Sequence, residues 1–191
     1  MNTKIYLGVD CGLDGGIVTL DSAGNIIDQR VMPTIKLGKG RKIDLAGLDT
    51  FLSFEALRFK QMADISQQGL QSTKSDLPTV IIEDPGGHAP SAAGLRSMTY
   101  SFAVCESLCV AHGLRYHLVR AQAWQKEFWS KPRAMKGKKF DTKAAALNVA
   151  NQLWPGNEWR QVGKSGKLLK NPADGVVDSA LIAEFGRRKN L

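Results

Sequence analysis

The chain has 191 residues, 43% hydrophobic and 23% charged, a balance that excludes a disordered or fibrous protein and predicts one globular domain over residues 1–191. No stretch approaches the ~20 unbroken apolar residues of a membrane span, and the opening MNTKIYLGVD lacks the regions of a secretory signal. A soluble cytoplasmic protein with no membrane partner is expected, and its net charge of +8 points to a polyanionic one.

The segments 4–10 (KIYLGVD), 15–20 (GGIVTL) and 26–32 (IIDQRVM) are short β-branched runs separated by turn residues, which predicts a three-stranded antiparallel meander. Residues 33–43 are rich in Pro, Gly and Lys and are expected as a loop. Asp44 then caps a helix to about Asp64, with Leu45, Leu48, Phe51, Leu52, Phe59 and Met62 as its apolar stripe. After a polar stretch, 66–78, the run TVIIE (79–83) is a buried strand that ends at the breaker Asp84-Pro85-Gly86-Gly87. A helix from about Leu95 to His112 closes at Gly113, followed by a strand, LRYHLV (114–119), and a short helix over 121–129. Residues 130–140 form a loop, Asp141 caps the next helix, and Pro155 stops it. Asn171-Pro172 opens a final helix to about Arg188. Three meander strands followed by alternating helix and strand imply a mixed sheet covered on both faces.

Charge is unevenly spread. Sixteen of the 26 basic residues fall in four acid-free segments: Lys36, Lys39, Arg41 and Lys42; Lys131, Arg133, Lys136, Lys138 and Lys139; Arg160, Lys164, Lys167 and Lys170; Arg187, Arg188 and Lys189. A basic run is often only a solvated face, but four of them, three in glycine-containing loops, predict phosphate contacts. The three cysteines do not match zinc or redox spacing and are expected as buried thiols. His112 and His117 are expected to be structural.

Four acids stand where stability alone would not put them. Asp10 and Glu83 end the two most apolar strands, and if those strands are parallel neighbours both carboxylates project at one sheet edge. Such a pair raises its own pKa unless it shares a cation or a proton. Asp174 and Asp178, four apart, share one face of the final helix. Asp174 also suits the helix dipole of the first turn. Asp178 heads a face that continues through Leu181, Ile182 and Phe185, where an acid needs a partner. Asp10 and Glu83 with one or both helix acids predict an all-oxygen site for Mg²⁺ or Mn²⁺, in which two ions ~3.5–4 Å apart hydrolyse a phosphodiester.

On these residues the chain resembles the RuvC-like Holliday junction resolvases, particularly their bacteriophage branch. The matching stretches are YLGVDCGLDGGIVTLD, IIED with the loop leading to RSMTYSF, LVRAQAWQKEFW, DTKAAALNVANQLWP and DGVVDSALIAEFGRR. The resemblance implies a ribonuclease-H-like α/β fold: a mixed five-stranded sheet, three antiparallel strands then two parallel, with helices on both faces. It implies Asp10, Glu83, Asp174 and Asp178 as catalytic metal ligands, two Mg²⁺ or Mn²⁺ ions, and a homodimer that cuts four-way DNA junctions in a bacterial or host cytoplasm. Bacterial members place an acid or histidine three residues before the final aspartate; here that position is Gly175, with Asp174 one step earlier. The loop after the glutamate, 85–97, commonly probes the junction centre and carries His88 and Arg96 but no aromatic ring. With the basic segments, His88 and Arg96 complete the expected DNA contacts, which include Lys164 and Lys167. The same fold and metals also suit a nuclease of RNA–DNA hybrids or of other branched substrates, and a junction-binding protein without activity is a third possibility. The dimer contact is expected on helix 95–112, through Met98, Phe102, Cys105, Leu108 and Cys109.

Overall fold

The computed structural model describes residues 4–38, 40–66, 78–86, 91–130, 140–163 and 165–191. Three strands, β1 (Tyr6–Asp10), β2 (Gly16–Leu20) and β3 (Ile26–Val31), form the expected antiparallel meander. Two later strands, β6 (Thr79–Asp84) and β7 (Arg115–Arg120), join it in parallel, so the sheet order is β3-β2-β1-β6-β7. This is the mixed five-stranded ribonuclease-H-like sheet.

Among the described residues five helices cover the sheet: α1 (Leu45–Ser66), α2 (Ala92–Ala111), α3 (Ala121–Phe128), α4 (Thr142–Leu153) and α5 (Asp174–Lys189). The period-two alternation of strand side chains sorts them into two cores. Ile5, Leu7 and Val9 of the first strand and its lead-in, with Val80 and Ile82 of β6, pack against Leu48, Phe51 and Leu52 of α1 and Cys105 and Cys109 of α2. On the opposite face Tyr6 and Ile81 meet Trp124 of α3, Ala146 and Ala150 of α4, and Val177, Ala180 and Leu181 of α5.

Several caps stand where the sequence predicts them. The Asp44 carboxylate accepts from the Gly47 N–H at 3.2 Å, and that of Asp141 accepts from the Ala144 N–H at 3.0 Å. Gly113 takes φ +64, the left-handed turn that ends α2. All three cysteines are free and buried, and burial pushes the Cys109 thiol up to about 12.

Other expectations need correction. Part of the supposed loop 33–43 is a hairpin of β4 (Thr34–Leu37) and β5 (Gly40–Ile43), and part of the basic loop 160–170 is a hairpin of β8 (Arg160–Val162) and β9 (Leu168–Pro172). Asn171 and Pro172 end β9 and do not open the last helix, whose cap is Ala173 with no side-chain bond. Leu45 leaves the α1 stripe, 44% exposed, and α2 begins at Ala92, capped by Ser91. Cys105 and Cys109 are buried within the chain, with Phe102 and Leu108 packed on the same core, and so form intrachain core where a dimer surface was expected.

Helix α5 lies on β1 and β2 at backbone contact distance. A Cβ on Gly8 would stand 2.0 Å from the Ser179 carbonyl oxygen and 2.4 Å from the Ala183 nitrogen. Gly8→Ala should therefore cost about 3 kcal/mol or more, because backbone cannot give way as a side chain can. Gly113→Ala, strained in φ but with nothing near its Cβ, should cost only about 1 kcal/mol in urea unfolding. Equal losses would show that α5 is free to move off the sheet.

Candidate active site

Strand parity sets the direction of the first two acids. Val9 pairs with Ile82 in the β1–β6 register, and both side chains face α1 and α2. One step along each strand, Asp10 and Glu83 come level and turn to the face covered by α5. Asp178, near the start of α5, meets them there. Each of the three is half-buried, while Asp174 at the first position of α5 is exposed.

Hydrogen bonds hold the group. The Asp10 N–H donates to the Ser179 hydroxyl at 3.1 Å, and that hydroxyl donates to the Gly175 carbonyl at 2.6 Å, which ties the end of β1 to the first turns of α5. The Asp10 carboxylate accepts from the Gly12 N–H at 2.9 Å. Glu83 Oε2 accepts from the Trp124 indole at 2.7 Å. Asp174 is held by Lys143 of α4 at 2.6 Å.

Burial is the main cause that raises all three inner carboxyls, and the charge of neighbouring acids adds to it. Glu83 moves from 4.5 to about 7 through burial and the charge of Asp10, against the Trp124 hydrogen bond. Asp178 moves from 3.8 to about 8 through burial and the charges of Asp10, Glu83 and Asp174, with Lys143 opposing. Asp10 also rises, mainly by burial, with the Gly12 N–H opposing. Among the described residues none of these three carries an ion pair, and no three acidic, histidine or cysteine side chains are drawn together as a ready metal cage. Three half-buried carboxylates without a cation repel one another, and their oxygen-only donors fit a hard divalent ion.

A cleft of about 580 Å³ opens beside Asp10 and Glu83, lined also by Cys11, Gly12, Met98 and Arg120, among others. Arg120 and Trp124 are functional candidates that the sequence reading passed over. Arg120 is 81% exposed and only loosely paired with Asp84, at 3.9 Å.

The basic segments divide. Lys36 and Arg41 are exposed on the β4–β5 hairpin, and Arg41 bonds Asp14 at 2.6 Å, in the turn that follows Asp10. Lys42 is half-buried on the same hairpin, and Arg96 on α2 and Lys167 near β9 are exposed. Arg160 is paired with Glu158, Arg187 and Arg188 share Glu184, and Lys189 is paired with Glu127, so the three cations of 187–189 are partly offset by two acids. Lys39, His88, Lys131, Arg133, Lys136, Lys138, Lys139 and Lys164 lie outside the described residues. His112 bonds Asp49 at 2.8 Å, a structural contact. No described helix is long and apolar enough to cross a membrane.

No protein-family model and no curated protein sequence matches the chain. The structure is similar to that of Thermus thermophilus RuvC in complex with Holliday junction substrate, with a TM-score of 0.58, 11% identity, and 97% of this chain and 96% of that one covered. A second Thermus thermophilus RuvC structure gives a TM-score of 0.48 at 10% identity over the same shares of each chain. The first likeness establishes a RuvC-like fold.

The raised carboxyls make a pH test. The folded chain binds protons at Glu83 and Asp178 that the unfolded chain has released, so stability should fall as pH rises from about 4 to about 8. Removing one charge should relieve this: Asp178→Asn should stabilise the protein by on the order of 2 kcal/mol near pH 9 in EDTA, and hardly at all near pH 4. Urea unfolding at the two pH values measures it; an equal effect at both would mean that Asp178 does not share charge with the other acids.

Proposed function

We propose that this chain is a divalent-metal-dependent endonuclease that resolves four-way (Holliday) DNA junctions by paired, symmetric phosphodiester hydrolysis. One observation carries the reading: Asp10, Glu83 and Asp178, from three separate elements of a RuvC-like fold, are half-buried within each other's field with no ion-pair partner among the described residues, and Asp10 and Glu83 line the cleft. Stability does not explain such a group. An uncompensated cluster of carboxylates costs folding free energy, and a protein that only bound DNA would be weakened by negative charge close to the phosphates.

Asp10, Glu83 and Asp178 would hold Mg²⁺ or Mn²⁺, as one or two ions, with Asp174 as a further ligand at the rim. Bound there, divalent ions activate water and stabilise charge on the leaving oxygen. The chain's own groups position and admit the substrate. The Gly12 N–H and the Trp124 indole orient two of the carboxylates, and Arg120 offers an exposed cation where a phosphate enters the cleft. Lys36, Arg96 and Lys167, which are exposed, and half-buried Lys42 are assigned to further phosphate contacts. Since a junction is approximately two-fold symmetric and must be cut twice, the proposal includes a homodimer with two sites in fixed register. Junction binding by the Thermus thermophilus RuvC of similar fold supports the choice of substrate.

The test is incubation with labelled four-way junction, linear duplex and RNA–DNA hybrid, in Mg²⁺ and in EDTA. Paired nicking of the junction, in Mg²⁺ only, is expected. Asp10→Asn, Glu83→Gln and Asp178→Asn should each abolish cleavage and spare junction binding. Preferential cutting of the hybrid would redirect the reading to a ribonuclease, and tight junction binding without any cleavage would make the chain an architectural protein.

Affinity should also fall with salt by a log–log slope of ~0.9 per phosphate neutralised. Lys36→Ala with Lys167→Ala should make that slope shallower and weaken all junction sequences alike. An unchanged slope would assign these lysines to solvent.

A further inference from the structure

Four tryptophans can be compared by where their indole N–H goes. Trp154 donates to the Gly24 carbonyl at 2.7 Å and Trp159 to the Asn151 side chain at 3.0 Å, ordinary neutral acceptors, while the buried Trp129 N–H meets none among the described residues. Trp124 differs. It is 1% exposed, and its N–H donates to Glu83 Oε2 at 2.7 Å, a carboxylate of the acidic group.

The chemistry of that donor matters. An indole N–H donates one hydrogen bond, accepts none and carries no charge. It can fix a carboxylate without neutralising it, whereas a lysine in its place would compete with any cation that arrived. Lys143 stands in that competing relation to Asp174. With Oε2 engaged, Glu83 Oε1 has no donor among the described residues.

The position of the indole is over-determined. The Trp124 ring meets Trp129 edge-on at 5.6 Å between centroids. Helix α3 is bound to α5 by Glu127 and Lys189 at 2.7 Å and by Arg188 over the Phe128 ring at 4.9 Å. The donor that holds Glu83 therefore sits on a helix tied to the one that carries Asp178.

We propose that Trp124 is a positioning residue for divalent-cation binding: its indole N–H fixes Glu83 through Oε2 and leaves Oε1 to the metal. This rests on the metal-dependent reading above. Hydrogen-bond partners of ligating carboxylates typically govern metal affinity by ~10–100-fold.

The test is calorimetric titration of the whole protein with Mn²⁺ alone. Trp124→Phe keeps the ring in place and deletes the donor, and should raise the Mn²⁺ dissociation constant by ~10–100-fold while the circular dichroism spectrum stays native. Trp159→Phe is the control for a lost structural indole bond; it should lower the melting temperature and bind Mn²⁺ like the wild type. Should Trp124→Phe fail to fold, the wild type still decides: its Trp124 indole ¹H–¹⁵N resonance should shift on Mg²⁺ titration with the midpoint of metal binding. Unaltered Mn²⁺ affinity in a folded Trp124→Phe, or an indole resonance that ignores Mg²⁺, would overturn the inference and leave the metal reading standing. Absence of Mn²⁺ binding by the wild type would sink both.

Discussion

The constraint on which the rest of the structure depends is the close approach of α5 to the β1–β2 hairpin. It is possible only because glycines stand on both surfaces. A Cβ on Gly175 would lie 2.3 Å from the Asp14 carbonyl oxygen, and one on Gly16 would lie 2.8 Å from the Val176 Cα. Side chains at these points would push the helix outward by the width of a methyl group. Asp178 would move with it, and the Ser179 hydroxyl would lose its bond to the Asp10 N–H. Packing and chemistry therefore share one surface: small residues bring the backbones together, and that distance brings the acids within each other's field.

The same proximity stores electrostatic free energy. Each of the three inner carboxyls is raised by burial and by at least one other acid, and Lys143, the cation that acts on Asp178, is already engaged by Asp174. The remaining charges are spread differently. Glu184, buried on α5, is matched by both Arg187 and Arg188. The fold is thus able to neutralise a buried acid where stability is the only demand, and the contrast with Asp10, Glu83 and Asp178 marks those three as a different kind of group.

Much of this was legible in the sequence because it depends on short-range pattern. Asp10 and Glu83 stand out as polar ends of apolar runs, and strand parity turns them to one face once the strands are parallel neighbours. Asp178 stands out because it breaks an apolar helix face. The two hairpins were not legible. TIKL and GRKI are too short, and too rich in Lys and Gly, to show alternation, and their pairing is a property of the turn between them. Asn171-Pro172 has the local signature of a helix start, but Pro172 lies opposite Arg160 in the β8–β9 ladder, and that pairing sets where the strand ends. Trp124 reads as one more apolar position in a short amphipathic helix. Its partner is 41 residues away, and no local pattern shows which acceptor a buried indole will find.

The bond between the Asp10 N–H and Ser179 spans 169 positions of chain. During synthesis β1 leaves the ribosome before α5, which follows every other described element. Until α5 emerges, the nascent chain carries Asp10 and Glu83 on a sheet face that α3 and α4 only partly cover, and closing so long a loop is slow. The acidic centre is therefore a late product of folding, assembled in the same step that seals the second core. A chain in which α5 has not yet docked therefore lacks the grouping of Asp10, Glu83 and Asp178.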